Sequence, residues 1–214
     1  MKIKAIVFDL DGTLANTLED LADAVNYALE EYGLKTHSLE QYRYFVGNGM
    51  KKLIERSVGE KKELQNKVFE SFVGYYADHF SDKTVAYDGE IELIKELKNR
   101  KIKLAVVTNK AHHMALKVAE KIYGKDVFTV VYGQSEEYPT KPDPTLTYKA
   151  LSIMGVKKQD CLFVGDSDVD IFTAKNAGVK SVGVLWGFRT KEELQNAGAD
   201  FLIQNPKDLL EIVK

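Results

Sequence analysis

The chain has little of several things that would settle a protein's class at once. Its 214 residues include one cysteine, Cys161, so no internal disulfide can form, which suits a reducing compartment. The 30 basic and 32 acidic side chains leave a net charge of −2, which gives no electrostatic case for nucleic acid or a membrane surface. No apolar run approaches the roughly 20 residues needed to span a bilayer. The opening run, Ile3 to Phe8, ends at Asp9, too early for the core of a secretory signal. There is no internal repeat and no low-complexity segment. His37 and His79 stand alone, without the spacing of a metal site. What remains is a globular chain expected in the cytoplasm, with a small molecule as its partner rather than nucleic acid or membrane. Its length allows one substantial core plus a smaller lobe.

What is present is concentrated at the ends of apolar runs. Ile3 to Phe8 reads as a buried strand, and Asp9-Leu10-Asp11-Gly12-Thr13 follows at its tip. Side chains alternate along an extended strand, so Asp9 and Asp11 can leave the same side of the backbone. Gly12 permits a sharp turn that brings backbone N–H groups close to an anion held there. Two carboxylates so placed repel each other and need a cation or a shared proton. The pair therefore points to a magnesium-dependent site, with a carboxylate nucleophile beside an acid/base carboxylate. A fixed Asp-x-Asp-Gly-Thr arises by chance in about one chain of this length in several hundred.

From Leu18 to Tyr32 apolar residues recur at helical spacing, and Gly33 stops that helix. Ser38-Leu39-Glu40-Gln41 has the form of a capping box opening a short helix through Phe45. Val46-Gly47-Asn48-Gly49 breaks the pattern, Met50 to Val58 resumes it, and Glu60 to Phe80 is helical again. Nothing between 17 and 81 reads as a strand. After Thr84 helices alternate with short β-rich runs at Lys103–Val107, Val127–Tyr132, Cys161–Val164, Ser181–Leu185 and Phe201–Ile203. Such alternation implies a doubly wound parallel α/β sheet, with ligands beyond the carboxyl ends of its strands. The expected division is an α/β core from 1–16 plus 82–214 and an all-helical insert at 17–81.

The remaining chemistry falls at those strand ends. Thr108-Asn109 can donate to phosphate oxygens, or can simply cap the helix that follows. Lys141, in Thr140-Lys141-Pro142-Asp143-Pro144, sits on a turn stiffened by two prolines. It either neutralises charge at a phosphoryl group or is an exposed loop lysine. Gly165-Asp166-Ser167-Asp168-Val169-Asp170 follows the apolar run ending at Val164. With a helix beginning near Ser167, Asp166 faces the site and Asp170 returns to its vicinity. Cys161 reads as a core residue. Trp186-Gly187-Phe188-Arg189 either covers the pocket or packs.

Phe8-Asp9-Leu10-Asp11-Gly12-Thr13-Leu14 resembles the first motif of the haloacid dehalogenase-like hydrolases, in their phosphatase branch. Thr108, Lys141 in its proline frame, and the Asp166/Asp170 pair resemble the second, third and fourth motifs, in order and over nearly the whole chain. The resemblance implies a Rossmann-like core with a small helical cap inserted after the first strand. It implies Asp9 as nucleophile and Asp11 as acid/base, and Thr108 and Lys141 as further catalytic groups. Gly12 and Asn109 join Thr108 and Lys141 in binding phosphate. Mg²⁺ is then held by Asp9, the Asp11 backbone carbonyl and Asp166, with Asp170 orienting Asp166 or binding through water. Val46-Gly47-Asn48-Gly49 and Leu53-Ile54-Glu55-Arg56 resemble the cap of phosphoglycolate phosphatases. This places Gly47, Asn48, Gly49 and Arg56 near the leaving group, although the glycines also suit a plain turn and Arg56 a structural ion pair. The expected reaction is hydrolysis of a small phosphomonoester, 2-phosphoglycolate first. A broader sugar phosphate or nucleotide phosphatase, a pyrophosphatase, and a non-catalytic phosphate-binding protein stand as alternatives.

Overall fold

The computed structural model describes residues 2–213. Strand β1 (Ala5–Phe8) leads into a two-residue strand β2 (Ala15–Asn16). Four helices follow: α1 (Leu18–Glu31), α2 (Leu39–Phe45), α3 (Met50–Val58) and α4 (Gln65–His79). The chain returns through β3 (Val85–Ala86) and α5 (Glu90–Asn99) to β4 (Lys103–Ala111), α6 (His112–Tyr123) and β5 (Val130–Gln134). It closes with α7 (Thr145–Met154), β6 (Cys161–Gly165), α8 (Asp168–Ala177) and β7 (Lys180–Val184). Last come α9 (Lys191–Asn196), β8 (Phe201–Ile203) and α10 (Leu209–Ile212).

Six strands form one parallel sheet in the order β5-β4-β1-β6-β7-β8. Period-2 alternation divides the central strands between two apolar layers. Ile6, Phe8, Leu104 and Val106 pack with Leu93, Leu97 and Val118 of α5 and α6. Ala5, Val7, Ala105 and Val107 pack with Leu146, Ala150 and Ala174 of α7 and α8. Cys161 lies in this second layer, where burial pushes its thiol up to about 12, so it is a core residue and no nucleophile. The two layers, helices on both faces of a parallel sheet, are the doubly wound architecture that the strand–helix alternation predicts. Strand order reverses around β1, so the carboxyl ends of β1, β4 and β6 meet at one crevice.

The helix expected from Glu60 begins only at Gln65, after a 3-10 turn at Lys62–Leu64, and two strands also differ from their sequence prediction. The strand expected at Val127–Tyr132 pairs only from Val130, because Val127 and Phe128 pack on the core from a bend, Phe128 edge-on to Tyr123. Strand β4 continues past Val107 to Ala111 with a shift of register against β5. Ala111, not Thr108 or Asn109, is then the N-cap of α6, so capping is not the role of Thr108-Asn109.

Helices α1–α4 share a separate apolar cluster built on Leu21, Val25, Leu29, Tyr42, Ile54 and Phe72. The Ser38–Gln41 capping box forms as the sequence predicts. The two chain crossings that join this cluster to the sheet pair with each other, Ala15 opposite Ala86 and Asn16 opposite Val85. Asp20 of α1 fastens the second crossing, accepting from the Lys83 and Thr84 backbone N–H groups and from the Thr84 hydroxyl.

Glu90, the first residue of α5, is fully buried, and neither carboxylate oxygen has a hydrogen-bond partner. Burial lifts its carboxyl from 4.5 to about 8. The folded protein therefore keeps a proton that the unfolded chain releases above pH 4.5. Its contribution to stability is greatest below that pH and falls as pH rises toward 8, by about 3 kcal/mol at neutrality. Glu90→Met is expected to raise stability at pH 8 and to remove that part of the slope in urea unfolding between pH 5 and 9. Identical slopes in the two proteins would refute this account of Glu90.

Candidate active site

Asp9 leaves the end of β1 with its backbone N–H donating to the Val164 carbonyl, which locks it beside the end of β6. The chain then turns tightly over Leu10–Ala15, with Gly12 at φ +85°. A Cβ at Gly12 would lie 2.3 Å from Asp166 Oδ2, so only glycine lets the turn approach that carboxylate. Asp166 stands at the end of β6, its Oδ2 accepting from the Phe188 N–H at 2.7 Å and its Oδ1 from the Thr13 hydroxyl at 3.3 Å. Asp170 sits in the first turn of α8, where Oδ2 accepts from the Ser167 N–H and hydroxyl. Asp9, Asp166 and Asp170 are all buried and each offers an oxygen within 4.8 Å of the others.

Two lysines enter this acidic cluster. Lys141 Nζ is 2.8 Å from Asp9 Oδ1 and 2.6 Å from Asp170 Oδ1. Its backbone is held by Asn109, which accepts from the Lys141 N–H at 2.8 Å and donates to the Lys141 carbonyl at 3.3 Å. Lys110 Nζ is 3.0 Å from Asp11 Oδ1 and 2.8 Å from the Tyr76 hydroxyl of α4. The Thr17 hydroxyl also donates to Asp11 Oδ1, at 2.8 Å. Burial opposes the charge of both lysines, but their carboxylate partners outweigh it and hold each ammonium above its ordinary range. Burial acts oppositely on the acids. It raises Asp9 against the pull of Lys141, and raises Asp166 with the added repulsion of Asp170 and Asp9. Four carboxylates face two ammoniums in this largely buried site, so two negative charges would stand uncompensated if all four acids were ionised.

Above the carboxylates lies a cavity bounded by Asp9, Asp11, Thr108, Asn109 and Lys110 from the sheet and by Leu21, Val46, Met50, Leu53 and Tyr76 from the helices. Its free space is about 30 Å³, room for about two waters. The helical cluster is tied down over it. Asn109 Nδ2 donates to the Gly47 carbonyl, Arg43 donates to the Gly187 carbonyl at 2.9 Å, and Arg189 donates to the Arg43 and Val46 carbonyls. Trp186 Nε1 donates to the Thr13 carbonyl. The Trp186–Arg189 segment thus packs and bridges at once, holding Asp166 through Phe188 and the helices through Arg189.

A family model described as haloacid dehalogenase-like hydrolase matches residues 6–184. The chain belongs to that family. A phosphoglycolate phosphatase from Aquifex aeolicus is 33% identical over 215 residues, 99% of this chain and 97% of that one. A protein from Caldanaerobacter subterraneus subsp. tengcongensis, provisionally named a pyrophosphatase, is 33% identical over 216 residues, covering 100% and 96%. A solved structure from Lactobacillus delbrueckii subsp. bulgaricus, provisionally named a phosphoglycolate phosphatase, is 31% identical. It superposes with a TM-score of 0.92 over 100% of this chain and 99% of its own.

Within this hydrolase most of the sequence-selected residues meet. Asp9, Asp11, Thr108, Asn109, Gly47 and Gly49 line the cavity, while Gly12, Lys141, Asp166 and Asp170 stand directly around Asp9. Arg56 does not reach it. Its guanidinium donates to the Tyr44 and Phe45 carbonyls and to Asn48 Oδ1, which bind the end of α2 to the loop after it. Asn48 and Arg56 therefore shape the loop from behind and do not line this cavity. The Asp11 carboxylate stands outside the three-acid cluster, so metal binding by Asp11 rests on its backbone carbonyl alone. Lys110, Tyr76 and Thr17 were missed. Alternation along an extended β4 puts Lys110 on the side of Thr108, the one available signal.

The residues present fit Mg²⁺. Asp9, Asp166 and Asp170 are buried and bring carboxylate oxygens within 4.8 Å of one another, with Lys141 Nζ 2.8 Å from Asp9 Oδ1. The donors are all oxygen, which is the ligand chemistry that Mg²⁺ selects.

Proposed function

We propose that this hydrolase cleaves small phosphomonoesters, with 2-phosphoglycolate as its preferred substrate, through a phosphorylated Asp9. It is an enzyme of the phosphoric monoester hydrolase class. The observation that carries the reading is the placement of Asp9 and Asp11. Asp9, ion-paired to Lys141 at 2.8 Å, lines a small cavity beneath the helical insert, and Asp11 is held beside it by one oxygen only.

An Asp9 oxygen attacks phosphorus as the bond to the leaving oxygen breaks, and Asp11 delivers its proton to that oxygen. Water then gives a proton back to Asp11 and attacks the same phosphorus, breaking the bond to Asp9 and releasing phosphate. Lys141 offsets the charge between Asp9 and the phosphoryl oxygens. The Thr108 hydroxyl and the backbone around Asn109 and Gly12 supply donors to those oxygens, the Asn109 amide being committed to the Gly47 and Lys141 carbonyls. Asp9, the Asp11 carbonyl and Asp166, with Asp170 behind, would hold Mg²⁺, which would supply positive charge to the developing phosphoryl transition state. The helical insert 17–81 acts as a cap on the paired crossings β2 and β3, opening for exchange and excluding water when closed. We place the enzyme in the cytoplasm. No helix among the described residues is long and apolar enough to cross a membrane.

A substrate panel tests the reading: 2-phosphoglycolate, glycerol phosphate, a hexose phosphate, a nucleoside monophosphate and pyrophosphate, with Mg²⁺ or with chelator. Phosphoglycolate is expected to show the highest kcat/KM, by about tenfold or more, with all turnover lost under chelation. A bulkier ester or pyrophosphate ahead by that margin rejects the preferred substrate and leaves the phosphatase. No hydrolysis of any ester, p-nitrophenyl phosphate included, leaves a phosphate-binding protein.

A further inference from the structure

We propose that Lys110 selects substrates that carry a second negative charge close to the leaving oxygen, an inference that rests on the phosphatase reading above. Lys110 comes from the irregular end of β4, in a position built by close packing. A Cβ at Gly133 of β5 would lie 2.5 Å from the Lys110 carbonyl, so the adjacent strand carries no side chain there. Its ammonium is buried, and an ammonium has three protons to donate. One goes to Asp11 Oδ1 and one to the Tyr76 hydroxyl, which leaves the third uncommitted at the wall of the cavity.

Among the described residues lining that cavity Lys110 is the one cation, and Leu21, Val46, Met50 and Leu53 facing it are apolar. A leaving group without charge could offer the third N–H at most a neutral acceptor, whereas an anion would complete it with a partly desolvated charge-assisted bond. Position sets the chemical class. Asp11 must touch the leaving oxygen to protonate it, and Lys110 is 3.0 Å from the other side of that carboxylate. The second anion must then sit one or two atoms from the leaving oxygen. An α-phosphooxy carboxylate satisfies this, and so does the distal phosphate of a small anhydride. A sugar phosphate or a phosphodiol does not.

The test compares 2-phosphoglycolate with 2-hydroxyethyl phosphate, which replaces the carboxylate by a neutral CH₂OH at the same length. Lys110 also steadies Asp11, so its loss slows both esters, but that shared effect cancels in the ratio of their kcat/KM values. The wild-type ratio is expected near 100, and Lys110→Met is expected to bring it close to 1. Lys110→Gln, which can still donate to Asp11, keeps the measurement available if the Met variant does not fold, and its ratio should fall as far. A ratio that survives in a folded variant while both rates drop makes Lys110 a positioning residue for Asp11 and overturns the proposal. A wild-type ratio near 1 overturns it too, with the phosphatase reading intact. Failure of the wild type on every ester removes that reading, and this inference with it.

Discussion

Asp9→Asn is expected to fold as the wild type does and to lose turnover by about 10⁴-fold or more with every phosphate ester. The amide is nearly isosteric with the carboxylate and keeps an oxygen toward Lys141, yet it is no nucleophile toward phosphorus. Stability should not fall with activity. Burial and the repulsion of Asp170 and Asp11 raise the Asp9 carboxyl despite Lys141, so its ionised form strains the metal-free fold. A neutral side chain relieves that strain, and the metal-free Tm of the variant should equal or exceed that of the wild type. Two displacements at phosphorus also predict retention of configuration with a chiral thiophosphate ester in the wild type. Substantial residual turnover in a folded Asp9→Asn, or inversion in the wild type, would remove Asp9 from the nucleophile's role.

What could be read from the sequence was local. Asp9 and Asp11 were legible because strand alternation and a following glycine fix their direction within five residues. Asp166 and Asp170 were legible because a helix starting near Ser167 returns Asp170 to the vicinity of Asp166, and the Ser167 N–H and hydroxyl cap it by donating to Asp170. Lys141 was legible through the stiffness that its prolines impose. The doubly wound sheet followed from the order of strands and helices alone.

The residues that sequence missed or misplaced depend on distant partners. Arg56 lies on a helix, and periodicity does not say whether its guanidinium faces the cavity or the carbonyls of α2 behind it. Alternation puts Lys110 on the side of Thr108, but that β4 runs on to Ala111 with a shift of register against β5 depends on the neighbouring strand. The Arg43 and Arg189 exchange joins residues 146 apart in sequence. Glu90 looks like an ordinary acidic residue in a first helical turn, where the helix dipole favours it, and only the packing of α5 shows the carboxyl sealed from water.

Asp11→Asn is expected to slow phosphoryl transfer from alkyl phosphates by about 10²–10⁴-fold and from p-nitrophenyl phosphate by less than about tenfold. The reason is in how the carboxylate is held. Thr17 and Lys110 both bond to Oδ1, which fixes the group and leaves Oδ2 at the cavity, where the leaving oxygen departs. An asparagine can keep its oxygen toward those two donors and present its NH₂ to the cavity. It can donate a hydrogen bond there and cannot deliver a proton. An alkoxide leaves poorly without that proton, whereas nitrophenolate needs little help, so the loss should scale with the basicity of the leaving group. The same substitution removes the base that activates water in the second step, which is common to all esters. Steady-state rates limited by that step would show equal losses and hide the difference. Single-turnover measurement of alcohol or nitrophenolate release isolates the first step, and phosphorylated Asp9 should accumulate with the nitrophenyl ester. Equal slowing of the first step for both esters would mean that Asp11 positions the substrate and that the acid lies elsewhere.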